Sequence, residues 1–153
     1  MRYLRKEVFR VLYVNSQNQI IGAEDLFEGT ADSSAVWARE VVAAAIRQNA
    51  TGLIFVHNHP SGSPEPSQSD REVTRDLVYA ARIMQIKALD HVIIGEDRYF
   101  SFAGEGLIER YETDFLTLRM KGTADQNSGN TGRRGDARPH DVAGHGLPWS
   151  SPV

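Results

Sequence analysis

The chain has 153 residues, a formal net charge of −3, no cysteine and five histidines, which suits a single domain large enough to bury a substantial core. Without cysteine there is no disulfide framework, thiolate zinc knuckle, iron–sulfur cluster or cysteine nucleophile. The acidic balance speaks against a basic nucleic-acid surface or a polybasic anchor, no apolar run reaches the roughly 18–20 residues of a membrane span, and the first residues lack a signal-peptide pattern, so a cytoplasmic protein is expected.

Val8 to Val14 is β-branched and aromatic and ends at Asn15-Ser16-Gln17-Asn18. Gln19 to Phe27 can return antiparallel to it, which predicts a hairpin with a loop of about four residues, and Gly29 ends the second strand. Asp32-Ser33-Ser34 offers helix caps. Ala35 to Gln48 places Trp37, Val41, Ala44 and Ala45 on one helical stripe, and Asn49-Ala50-Thr51-Gly52 stops it. Leu53 to Val56 is short and wholly apolar, as a buried central strand is. The loop HPSGSPEP follows, holding Pro60, Pro64 and Pro66, and is stiff. Gln68 to Met84 predicts a helix whose buried stripe is Val73, Leu77, Ala80, Ala81 and Met84. Lys87 to Ile94 reads as a strand ended by Gly95-Glu96-Asp97, and Arg98 to Phe102 pairs back on it. Leu107 to Met120 predicts the last helix.

From Gly122 onward the chain holds six of its thirteen glycines and three of its six prolines. Such a stretch buries too little apolar surface to offset its ordering entropy. Residues 122–153 are therefore expected to be a disordered tail, with His140 and His145 as solvated tail residues, behind one folded domain over 1–121. The order ββαβαββα predicts an α/β fold, a mixed sheet with helices on both faces.

The chemistry concentrates where the buried strand meets the proline loop. His57 and His59, two residues apart on a strand, point to one face. Asp70 lies in the first turn of the next helix, its side chain leaning toward the helix N-terminus. Two imidazoles and a carboxylate are a common ligand set for catalytic zinc, which keeps a fourth position for water. The prolines limit the loop's freedom before a metal arrives. A structural reading stands beside this one: Ser67-x-x-Asp70 is close to a capping box, with Ser67 as the cap. Asn58 reads as a loop residue or a site residue. A water-activating metal also needs a general base, for which Glu7, Glu24, Asp25 and Glu40 are the acids near strand ends. Glu7 opens an alternation with Phe9, Val11 and Tyr13 that puts its carboxylate on one defined face.

HNHPSGSPEPSQSD, from His57 to Asp70, resembles the JAMM motif of the JAB/MPN zinc metalloproteases: His-x-His-Pro, six residues, then Ser-x-x-Asp. The RadC branch is the closer likeness, through Leu26-Phe27-Glu28-Gly29-Thr30, Arg39-Glu40-Val41, Leu89-Asp90-His91-Val92-Ile93-Ile94-Gly95 and Tyr99-Phe100-Ser101-Phe102-Ala103. The likeness runs from about Glu7 to Ile108. It implies a cytidine-deaminase-like α/β sandwich with zinc on His57, His59 and Asp70. It also implies a catalytic glutamate on an early strand, Glu7 or else Glu24, and a Ser67 that helps hold the oxyanion or the bound water. Members with proven activity hydrolyse peptide or isopeptide bonds, so the implied partner is a peptide or protein substrate.

The RadC name implies, as the alternative, an accessory role in DNA repair or recombination, hence a nucleic-acid partner, to which the acidic charge lends little. A non-catalytic scaffold is disfavoured because all three ligands are kept, and nuclease-type hydrolysis would use the same water. Ala38 stands where the family usually has proline, and Ser63 where it often has aspartate. The helical region that usually precedes the RadC domain has no counterpart before Glu7. His91 recurs in the family outside the motif and reads as packing or support, not as a ligand.

Overall fold

The computed structural model describes residues 1–28 and 34–128, the side chains of 34–36 and 126–128 excepted. Strands β1 (Val8–Val14) and β2 (Ile20–Glu28) form the expected hairpin. Asn15 builds its turn: the side-chain oxygen accepts the N–H groups of Gln17 and Gln19, both at 3.0 Å. Asn18 takes a positive φ of 59°, which asparagine tolerates better than most residues. Helix α1 (Ser34–Arg47) buries Trp37, Val41, Ala44 and Ala45, the stripe its spacing predicts. Gly29 and the cap candidates Asp32 and Ser33 lie outside the described residues.

Strand β3 (Gly52–Asn58) runs two residues past Val56, because the polar His57 and Asn58 continue its pairing. Helix α2 (Gln68–Ile83), β4 (Lys87–Ile94), β5 (Tyr99–Ser101) and α3 (Leu107–Ser128) complete the order predicted from sequence. Two details differ. The buried face of α2 carries Thr74 and Val78 with Leu77 and Ala81, while Met84 is exposed. Helix α3 continues to Ser128, past Met120 and into the stretch expected to be tail. There the Thr123 hydroxyl donates back to the carbonyls of Arg119 and Met120, and a single Gly122 costs a helix only about 1 kcal/mol. Residues 129–153, with His140 and His145, lie outside the described residues.

The five strands form one open mixed sheet in the order β2-β1-β3-β4-β5. Only β3 and β4 are parallel. The crossovers from β2 to β3 and from β3 to β4 move the same way across the sheet. Crossovers of one hand then put α1 and α2 on one face, where they pack on each other. Tyr79 of α2 meets Phe115 of α3, so α3 joins them. The expectation of helices on both faces is thereby corrected among the described residues. Val11, Tyr13, Leu53, Phe55 and Ile93 fill the helix-covered face, while Leu12, Ile54, Val56 and Val92 on the other stay half-buried. Burying each large apolar side chain contributes about 1.5–3 kcal/mol. No helix among the described residues is long and apolar enough to cross a membrane.

Candidate metal centre

Along β3, Leu53, Phe55 and His57 alternate onto the helix-covered face. His57 is thus the last inward residue of a buried strand, 3% exposed, with its ring stacked against Phe9. The chain then turns tightly. The N–H of His59 donates to the Ile94 carbonyl and that of Gly62 to the His59 carbonyl, both at 3.0 Å. Gly62 has φ +89°, which a side chain would strain. The Gly62 carbonyl accepts the N–H of Glu96 at 2.9 Å, tying the loop to the end of β4. His59 is oriented by its own loop, with Nδ1 2.8 Å from the Ser63 carbonyl oxygen.

At the start of α2 the capping box forms as the structural reading expects. Ser67 Oγ accepts the Asp70 N–H at 3.1 Å, and the Ser67 N–H donates to Asp70 Oδ2 at 2.7 Å. The same Asp70 carboxylate also faces the histidines. Oδ1 lies 3.4 Å from His57 Nε2 and Oδ2 lies 3.2 Å from His59 Nε2. The two readings of Asp70 are therefore compatible, because the cap bond holds the carboxylate at the angle that aims it across the loop.

The two Nε2 atoms stand 2.9 Å apart. Four ligands at about 2.0–2.1 Å around a tetrahedral zinc are about 3.3 Å from one another, and the spacings of 2.9, 3.2 and 3.4 Å bracket that value. Imidazole nitrogens and a carboxylate this close need a proton or a metal cation between them. Glu7, just before β1, adds Oε1 at 3.8 Å from His57 Nε2. One ligand atom from each of Glu7, His57, His59 and Asp70 falls within 4.8 Å of the others, a group that could hold a metal ion. A cavity of about 490 Å³ opens over them, with Trp37, Val73 and Glu65 among its walls.

Burial alone would push the Asp70 carboxyl up. Hydrogen bonds from His57 and from the Ser67 backbone, with the charge of His57, outweigh burial and hold it well below the ordinary 3.8. The carboxylate is therefore charged and ready to ligate at neutral pH. His91 lies behind His57, 1% exposed, with Nε2 2.7 Å from His57 Nδ1. Burial, then the neighbouring His57, push its pKa far down, against a weaker upward pull from Asp70. Its place is support, as the sequence suggests.

Of the four candidate bases, only Glu7 joins the cluster. Glu24 accepts from Gln48 Nε2 at 2.7 Å, with Arg47 at 3.8 Å. Asp25 is paired with Arg10, and Glu40 is exposed on α1. Two contributors have no signature in spacing. Thr74 is fully buried behind His91. Asn58 accepts the Val8 N–H and donates to the Lys6 carbonyl, both at 2.9 Å, clamping the chain on either side of Glu7.

Comparison with known proteins adds a family. The model of the RadC-like JAB domain matches residues 1–107. A UPF0758 protein of Pseudoalteromonas translucida is 52% identical over 108 residues, covering 71% of this chain and 48% of that protein. A UPF0758 protein of Symbiobacterium thermophilum is 47% identical over 108 residues, 71% of this chain and 46% of its own length. The UPF0758 protein YeeS of Escherichia coli is 46% identical over 108 residues, 71% of this chain and 73% of YeeS. The chain thus spans about half the length of most of these relatives.

Proposed function

Since the chain belongs to the RadC-like JAB domain family, we propose that it is a zinc-dependent hydrolase of peptide or isopeptide bonds, with zinc held by His57, His59 and Asp70. The observation that carries this reading is the convergence of those three side chains with Glu7 at one cavity. The finer kinship with cytidine-deaminase-like folds belongs to the same proposal. Zinc supplies an acidified water at neutral pH, lowering its pKa from 15.7 to roughly 7.

The chain's own residues do the rest. Glu7, with Oε1 3.8 Å from His57 Nε2, takes the water's proton as it attacks the carbonyl and returns it to the leaving amine. Ser67 keeps its O–H free to donate, since its oxygen accepts from Asp70 N–H, and it lines the cavity. It stabilises the charge that develops on the carbonyl oxygen. Trp37 and Val73 provide apolar walls against which a peptide can seat.

Zinc content of the purified protein, followed by turnover against a peptide and isopeptide library, tests this. One zinc per chain is expected, lost in His57→Ala and in Asp70→Ala. Glu7→Gln should keep the zinc and lose about 10²–10⁴-fold in turnover, while Glu24→Gln leaves it unchanged. Full metal content in both ligand variants, or full turnover in Glu7→Gln, overturns the assignment.

A further inference from the structure

We propose that Phe9, Trp37 and Val73 form a specificity slot beside the candidate metal cluster, and that the substrate is a peptide with a large apolar residue flanking the scissile bond. The part the slot plays in turnover rests on the hydrolase proposed above, but its preference in binding does not.

Three elements build the slot. Phe9 is opposite His57 in the register of β1 and β3, and its ring runs nearly parallel to the His57 imidazole with centroids 6.1 Å apart. Trp37, near the start of α1, meets the Phe9 ring edge-on at 4.4 Å and stacks on Phe27 at 4.1 Å. An indole packed against two aromatic rings is a fixed wall, because close-packed neighbours leave it no room to turn. Val73 follows Asp70 by three residues on α2, so it lies on the same face of that helix, one turn deeper. It is half-buried against the core, and all three side chains line the cavity over the cluster. Apolar surface therefore begins immediately beside His57 and Asp70.

The charge of the cavity narrows what can fill it. Its lining holds three carboxylates, Glu7, Glu65 and Asp70, and no lysine or arginine among the described residues. An acidic side chain or a phosphodiester entering there meets repulsion and no cationic partner. A lysine is drawn to the carboxylates, but in the slot its ammonium would lie between apolar groups that cannot solvate it. Glycine leaves the slot unfilled. A large apolar side chain gains by leaving water, and the cavity of about 490 Å³ has room for it and for the backbone that carries it.

The probes are capped peptides Ac-Gly-Gly-Xaa-Gly-Gly-NH2 with leucine, phenylalanine, glycine, aspartate or lysine at Xaa. The chain has two tryptophans, Trp37 and Trp149, so in a Trp149→Phe background the fluorescence reports Trp37 alone. In titrations of the metal-free protein, leucine and phenylalanine should bind about 10–100-fold tighter than glycine, the factor that burying one large apolar side chain supplies. Aspartate and lysine should bind no tighter than glycine. Val73→Phe fills the slot and should erase the preference. Val73→Ala should lower the leucine-to-glycine ratio about fourfold, the worth of one methylene. Each ratio is taken within one variant, where both peptides meet the same folded fraction, so a purely structural role for Val73 leaves it unmoved. The zinc-loaded protein is then given the same peptides, and kcat/KM should follow the same order, with cleavage on one side of Xaa. Leucine and glycine binding within twofold in the wild type overturns the slot, as does a tighter lysine peptide, an unchanged ratio in Val73→Phe, or no binding of any peptide. Preferential binding of leucine without cleavage counts against the proposed hydrolase alone, and equal cleavage of the leucine and glycine peptides counts against the slot alone.

Discussion

Asn58→Ala separates the proposed base from the proposed metal ligands. Asn58 is 2% exposed, its side-chain oxygen accepting from Val8 N–H and its amide donating to Lys6 O at 2.9 Å, with Leu4 O at 3.5 Å. Truncation strands one backbone donor and one acceptor beside the buried end of β3. Each group left without a partner costs about 1–3 kcal/mol. The longer contact adds little, so the variant should lose roughly 2–6 kcal/mol of unfolding free energy. The lost clamp brackets Glu7, so its carboxylate should drift from the cluster and turnover should fall toward that of Glu7→Gln. Zinc content should stay at one per chain, since His57, His59 and Asp70 are held by His91, the Ser63 carbonyl and the α2 cap. Urea unfolding at constant slope, zinc content and kcat are the three measurements. An unfolding free energy within about 0.5 kcal/mol of wild type refutes the clamp, and loss of zinc along with turnover refutes the separation of base from metal.

Ser67→Ala should cost about 1 kcal/mol through the lost cap, whereas Ser67→Gly costs only a few tenths; if Ser67→Gly keeps full turnover, the hydroxyl has no part in the chemistry. Gly95→Ala would place a Cβ 2.4 Å from the Gly62 carbonyl oxygen, so the loop holding His59 must move. Thermal unfolding should report about 1–3 kcal/mol of destabilisation with weaker zinc binding, and an unchanged melting temperature counts against the contact. In metal-free protein the lowered Asp70 pKa stabilises the fold above its ordinary value of 3.8, and that contribution is lost as pH falls below it. Wild type and Asp70→Asn should therefore differ in stability at pH 6 and converge in acid, and a gap that widens toward acid contradicts the cause assigned to the shift.

Most of the fold is legible from its punctuation. Asn15 to Asn18, Gly52 and Gly95 each mark an end that hydrogen bonds or close approach explain, and the strands and helices fall between them. The errors have physical causes. Strand β3 reads as four residues because His57 and Asn58 break its apolar run, yet both make their polar contacts inside the fold. The α2 stripe reads through Met84 because Thr74 looks like a surface residue, while its hydroxyl is satisfied by Asp70 O and His91. Pairing order carries no local signal at all. The covered face follows from the direction of two crossovers, which only the sheet order reveals.

The same distinction divides the candidate metal centre. His57, His59 and Asp70 lie within fourteen residues of one another, so a stiff loop and a helix cap suffice to bring them together, and spacing exposes them. The position of the proposed base is a question of register. Phe9 is opposite His57 across β1 and β3, and Glu7, two residues before Phe9, comes within 3.8 Å of His57 Nε2. Glu24 pairs with Val11, which faces Phe55. That is four residues further along the sheet, roughly 13 Å at strand spacing, and one strand further from β3. The alternation that Glu7 opens fixes which face its carboxylate takes, but not how far along the sheet it lies from His57. The register does, and it excludes Glu24 from the cluster by geometry before any chemistry is considered.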